Sequence, residues 1–246
     1  MLQTVRSFQG RFSPQESPVE FVSFDDAWRL LRPFGAEVAH QSETELRLSL
    51  TEGAQSSCID IASTDHAMAA KLPPDVIRLD RTQLADTVEA IIHKLHLTQV
   101  YLIPVGHWRQ LFEAVAEGMA TNEQWRAIDS AATVELNTRD ALLFVPANFH
   151  ILRDLIRVVL TAGTAPIHGI SLATVGSPLL IEVMPAGEVV VFTGRTDLAH
   201  VVVDVLQHRT GSAKSANPNS NPNSSADSSA KPSPARRKTP GTTPKN

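Results

Sequence analysis

The sequence predicts an α+β fold, with a mixed α/β arrangement as the alternative: helices packed on mostly antiparallel sheet, one βαβ unit and a disordered C-terminal tail. Three observations carry this. Helical and strand periodicities do not alternate strictly along the chain, as a doubly wound sheet would require. Several short runs alternate apolar with polar residues, as half-buried strands do: Leu46, Leu48 and Leu50 interleave with Glu45, Arg47 and Ser49. From Gly211 onward, Asn217-Pro218-Asn219-Ser220 is repeated as Asn221-Pro222-Asn223-Ser224, and Ser, Ala, Lys and Pro fill most of the rest. Such a segment has almost nothing apolar to offset its backbone entropy.

The expected organisation is a flexible arm over residues 1–20, a folded body over 21–210 and the tail over 211–246. Within the body, a division near Pro104 gives lobes 21–103 and 104–210. Charge separates body from tail as well. The first 210 residues hold 16 basic and 25 acidic groups (net -9), the remainder six basic and one acidic (net +5), which together make the chain's -4.

Ser23 caps a first helix whose positive opening turn holds Asp25 and Asp26, with Trp28 and Leu31 on one side. Pro33 and Gly35 end it. Val38 and its neighbours then pair with the Leu46–Leu50 strand, and Ile59 and Ile61 mark a third strand whose Cys58 and Asp60 point the other way. After Pro73-Pro74, a short strand at Val76–Leu79 precedes a helix opened by a capping box of Asp80 and Gln83 and running to about His96. Gln99–Ile103 is β-prone and completes the βαβ unit.

Trp108, Leu111, Phe112, Val115 and Met119 form one helical stripe. Thr121 and Gln124 cap a shorter helix containing Trp125 and Ile128. Ala132, Val134 and Leu136 alternate as a strand that turns through Thr138-Arg139-Asp140 into Leu142–Val145. Pro146 opens a strongly apolar helix over 147–161, and Gly163 follows it. Three strands come next (Ile170–Thr174, Leu179–Met184, Val189–Phe192), the last two joined through Pro185-Ala186-Gly187, before a helix from Thr196 to Gln207.

Composition removes several function classes. Cys58 is the single cysteine, so an intrachain disulfide and a thiolate-rich zinc site are both excluded. No run approaches the ~18 apolar residues of a membrane helix, and no apolar segment follows Arg6 and Arg11 as a secretory signal would require. A cytoplasmic location is expected. Glycine-rich phosphate loops, dinucleotide fingerprints and nucleophile elbows are missing; Gly176-Ser177-Pro178 reads as a turn. No cofactor is expected. The helix pair around Thr121 lacks the positive balance that DNA phosphates demand, so nucleic-acid contact through the body is not expected and would fall to residues 211–246.

Four groups of residues are candidate sites. Asp86, Glu89, His93 and His96 are spaced three and four apart, as metal ligands on one helix face would be; the competing reading is an ordinary polar face opposite Leu84, Val88, Ile91 and Leu95. Arg153 and Arg157, four apart, could grip an anion unless Asp154 and nearby acids neutralise them. Cys58 with His66 could form a nucleophile and base, against the ordinary role of a small strand residue. His107, His150 and His168 are candidate bases for a hydrolase-like site assembled from dispersed residues.

The leading expectation is a non-enzymatic binding or protein-interaction module, offering a sheet edge from Ile170–Phe192 to an unknown protein partner or to a second copy. The hydrolase is the alternative. A third reading makes the chain an accessory factor that contacts an acidic or nucleic-acid partner through its basic tail.

Overall fold

Side-chain caps start the helices close to where the sequence places them. The computed structural model describes residues 19–64, 76–132, 139–163 and 165–215. Ser23 Oγ accepts the Asp26 N–H at 3.2 Å and opens α1 (Phe24–Leu31), which passes into a 3-10 turn (Arg32–Phe34) ended by Gly35 at φ +85°. Asp80 Oδ1 accepts the Gln83 N–H at 2.7 Å while Gln83 Oε1 accepts the Asp80 N–H, and this box opens α2 (Arg81–Lys94). The helices α3 (Trp108–Val115), α4 (Glu123–Ala132), α5 (Phe149–Val159) and α6 (Thr196–Ser215) follow. Asn122 rather than Thr121 caps α4, its Oδ1 accepting the Trp125 N–H at 2.9 Å.

The strands are β1 (Glu20–Val22), β2 (Ala36–Gln41), β3 (Leu46–Leu50), β4 (Ser57–Ser63), β5 (Ile77–Leu79), β6 (Val100–Pro104), β7 (Ala141–Phe144), β8 (Ile170–Thr174), β9 (Leu179–Met184) and β10 (Glu188–Thr193). Eight of them form one sheet in the order β1-β7-β6-β8-β9-β10-β4-β5, and β2 and β3 form a separate hairpin. Every neighbouring pair in the large sheet is antiparallel except β4–β5. The fold is α+β, as the sequence predicts. Strands from 21–103 and from 104–210 interleave in this sheet, β7 lying between β1 and β6 and β8–β10 between β6 and β4. The segment β5–α2–β6 does run strand, helix, strand, but β8, β9, β10 and β4 stand between its two strands.

Both faces of the sheet are covered. Leu84, Val88 and Ile91 of α2, Trp108 and Leu111 of α3, Trp125 of α4, Leu152 and Leu155 of α5 and Val202 of α6 form a core on one face with Leu102, Phe144, Leu172 and Ile181. Ala27 and Leu31 of α1 and Leu46, Leu48 and Leu50 of the hairpin cover part of the other, over Tyr101, Ile103, Ala173 and Leu180. Accordingly β6, β8 and β9 are buried at every residue. Trp108 ties the layers together, fully buried, with its Nε1 donating to the Asp140 carbonyl at 2.8 Å.

Some boundaries differ from the expected ones. Glu20, the last residue of the expected arm, is already in β1 opposite Leu143. Ala132 closes α4 instead of opening a strand; Val134 and Leu136 lie outside the described residues. α6 continues to Ser215, so residues 211–215, assigned to the tail, are helical, and residues 216–246 lie outside the described chain. Most consequentially, β8, β9 and β10 are interior strands paired on both sides, so Ile170–Phe192 has no edge to offer.

The β9–β10 turn is tight. Ala186 and Gly187 both have positive φ (70° and 89°), and a Cβ on Gly187 would lie 2.5 Å from Ser63 Cβ. Gly187→Ala is therefore expected to destabilise the protein by about 1–3 kcal/mol, from left-handed strain plus overpacking. Urea unfolding measures it; a change under about 0.5 kcal/mol would show that the turn relaxes freely.

Candidate functional site

Two of the sequence candidates turn out to answer each other. Arg157 Nη2 donates to Asp86 Oδ1 at 2.5 Å, and Arg153 Nη1 lies 3.6 Å from Glu89 Oε2, so the carboxylates of α2 pair with the guanidiniums of α5. Asp154 adds to this at 3.4 Å from Arg153 and 3.8 Å from Arg157. His93 approaches Glu89 at 3.9 Å and sets its ring edge against Phe149. The spacing argument fails at His96: α2 ends at Lys94, and His96 sits beyond it with φ +51°, off the helical face. Among the described residues no three ligand-type side chains gather round a common point.

The three candidate histidines do not meet. β6 and β7 are antiparallel, with Leu102 opposite Leu142 and Val100 opposite Phe144. His107 follows the C-terminal end of β6, whereas His150 follows the C-terminal end of β7, at the other end of the sheet. His150 Nε2 lies 2.9 Å from Gln124 Oε1. His168 is on the same side as His107, since the Gly106 N–H donates to the Ile167 carbonyl at 3.1 Å. His107 Nε2 donates to the Glu43 carbonyl at 2.7 Å, and the Nδ1 atoms of His107 and His168 are buried without a hydrogen-bond partner. None of the three hydrogen bonds a carboxylate among the described residues.

His107 has a different task, which is to hold the hairpin. The chain that turns from β2 to β3 is fastened by His107 on the Glu43 carbonyl and by Arg139 Nη2 on the carbonyls of Ser42 (2.8 Å) and Glu43 (3.3 Å). The Leu46 N–H donates to the Val105 carbonyl at 2.7 Å, and Leu46, Leu48 and Leu50 are buried against the sheet. β3 is thus clamped to the body.

β2 is not covered in the same way. Among the described residues it pairs with β3 only, with Ala36 opposite Leu50, Val38 opposite Leu48 and a bulge between Val38 and His40. After the buried Ala36, every residue to Gln41 is exposed, on both strand faces. Val38 is 38% exposed, a large apolar side chain in water. β2 is therefore a six-residue strand with one free edge, whereas the edges of the large sheet, β1 and β5, are three residues each.

A second feature lies where β3 crosses β9 and β10. Glu182 on β9 is only 6% exposed, and its ion-pair contact is Arg47 Nη1 at 3.9 Å, too long for a hydrogen bond. Arg47 is held closer by Glu45, Nε to Oε1 at 2.5 Å. Ser171, directly opposite Glu182 on β8, is 1% exposed, and its hydroxyl has no partner. Burial raises the Glu182 pKa above its ordinary 4.5; Arg47 opposes this and Glu45 reinforces it. Beyond Val190, β4 presents exposed Cys58 and Asp60 on the same face. Partial burial first, then the Asp60 carboxylate, push the Cys58 thiol up, which disfavours the reactive thiolate. His66, its suggested base, lies outside the described residues.

Neither β2 nor Glu182 carries a motif. Glu182 did leave a trace, as the one charge in the apolar run Leu179–Met184, which is where a strand covered on both faces tolerates it least. The bareness of β2 left none, because it depends on which strand of the hairpin faces the body. No protein-family model, curated protein or solved structure matches this chain. Among the described residues, no helix is long and apolar enough to cross a membrane.

The raised Glu182 pKa fixes a pH dependence. The folded state holds this proton more tightly than the unfolded chain, so the group's contribution is full below about pH 4.5 and is lost as pH rises through the folded pKa. Glu182→Gln is expected to match wild type in acid and to exceed it at pH 8 by on the order of 1 kcal/mol. Parallel urea titrations from pH 4 to 8 measure this; a variant less stable than wild type at pH 8 would mean that the Arg47 contact outweighs the burial cost.

Proposed function

We propose that this chain is a non-enzymatic protein-interaction module that takes an extended protein segment along the free edge of β2. The observation behind this reading is a six-residue strand, paired on one side and exposed from Glu37 to Gln41, on a hairpin clamped to the body. Strand addition draws affinity from main-chain hydrogen bonds and needs no conserved chemical group, which suits a sequence without catalytic motifs. The bulge at Ala39 is the kind of irregularity that limits indiscriminate edge pairing. We also infer a cytoplasmic location from the unpaired, exposed Cys58, to be checked by fractionation of the source cell. The basic segment from Gly211 is suited to a separate, salt-dependent contact with an acidic surface.

Ala39 has no cross-strand partner in the hairpin register. Ala39→Pro should therefore remove an edge donor without breaking the β2–β3 ladder. Its expected signature is a melting temperature within a few degrees of wild type, with loss of partners in a pull-down or of a dimer in light scattering. Retention of the same partners, or the same dimer, by the folded variant would contradict strand addition at β2.

A further inference from the structure

Beside β2 is a groove of about 410 Å³, lined by Trp28 and Arg32 from α1 and the turn after it, by Ala36, Glu37 and Val38 of β2, and by Thr51. Successive side chains on a strand point to opposite faces, so three consecutive residues can line one hollow only if the strand backbone forms part of its wall. The groove and the free strand thus belong to one surface. Val38 of β2 gives it one exposed, large apolar side chain.

The charges in the groove are not equivalent. Glu37 accepts a hydrogen bond from Thr51 Oγ1 at 2.7 Å, which fixes its side chain and leaves its negative charge in place. Arg29, one turn before Arg32, is paired with Asp26 at 3.2 Å. Arg32 is exposed and makes no ion pair among the described residues. Trp28 is set in place by stacking on Phe24, with ring centroids 5.8 Å apart and planes 14° from parallel. The groove therefore offers an aromatic wall, the exposed Val38, the Glu37 carboxylate and a guanidinium without an ion pair among the described residues, whose planar fork matches a carboxylate.

We propose that the segment received by β2 belongs to a partner protein and brings an aspartate or glutamate to Arg32, with apolar residues at alternate positions against Trp28 and Val38. This rests on the strand-addition reading and adds the partner's chemistry to it. Alternation follows from the strand itself: every second side chain of an added strand turns to the same face. A second copy fits less well, since β2 carries a single carboxylate, Glu37, and Thr51 already holds it. The Glu37 charge in the same groove opposes a second carboxylate, so the partner's acid must seat on the Arg32 fork itself; acidic groups beyond the roughly 8 Å screening length count little.

The test is selection of phage-displayed random heptapeptides on the full-length chain, with counter-selection on Ala39→Pro. Enriched peptides are expected to carry Asp or Glu among alternating apolar residues and to shift the backbone amides of 37–41 in NMR spectra. They should bind Arg32→Gln about tenfold more weakly, with Arg29→Gln unchanged as a control on the paired neighbour. Enrichment without acidic residues, or affinity unaffected by Arg32→Gln, overturns the acidic partner and leaves strand addition standing. Peptides that bind Ala39→Pro equally well, or no enrichment at all, overturn both. Amide shifts over 37–41 that grow with protein concentration in the absence of peptide would give the groove to a second copy and overturn the partner assignment.

Discussion

The sheet is covered on both faces, and most of what is unusual about this chain follows from that. Strands β6, β8 and β9 are buried at every position, so both of their side-chain parities must be apolar or neutral. The covers are unequal. Among the described residues, five helices pack on one face and only α1 and a two-stranded hairpin on the other, with Cys58 and Asp60 exposed beyond the hairpin. Glu182 and Ser171 lie opposite each other on this thinner side; the Ser171 hydroxyl has no hydrogen-bond partner among the described residues, and Arg47 stays 3.9 Å from the Glu182 carboxylate. Full cover would have made that carboxylate still harder to keep, and full exposure would have removed its cost.

The hairpin that supplies this cover has one committed strand and one bare one. Three leucines of β3 are buried, and the turn is fixed by Arg139, His107 and the Leu46 N–H. That anchoring fixes β3 on the body and leaves β2, among the described residues, paired along one side only. A rigid free strand binds with less ordering entropy than a loop that must first become one. Function on this view is a consequence of how the second face is closed, since the element that closes it must end somewhere, and it ends in β2.

Local features were legible in the sequence and non-local ones were not. The capping residues of α1 and α2, the alternation of β3 and the apolar stripe of α3 depend on neighbours within a few positions, and the structure has them where expected. The position of β5 five places from β6 depends on pairing between residues far apart, which no local period encodes. Ile170–Phe192 shows the same limit: its β character was plain, but whether a strand is central or at an edge is decided by what lies on either side. The two charged clusters show the same limit. The sequence offered neutralisation of Arg153 and Arg157 by Asp154 and nearby acids, but not that Asp86 and Glu89 of another helix are among those acids, since spacings of three and four along each helix do not say which helices pack together. His96 failed on a local matter instead, a left-handed residue ending α2 before the face was complete.

This mutual neutralisation also bears on where binding is to be sought. On the helical side, Arg153 and Arg157 are occupied by Asp86, Glu89 and Asp154, and these partly exposed pairs hold little energy that a ligand could draw on. On the hairpin side, among the described residues, the Arg32 guanidinium has no ion-pair partner and β2 is paired along one side only. A ligand's charge gains most where the protein's own charge is not already satisfied, and its backbone gains most where donors and acceptors are not already paired. Arg32 and β2 meet both conditions within a single groove, although neither was prominent in the sequence and both lie outside its histidine and carboxylate clusters.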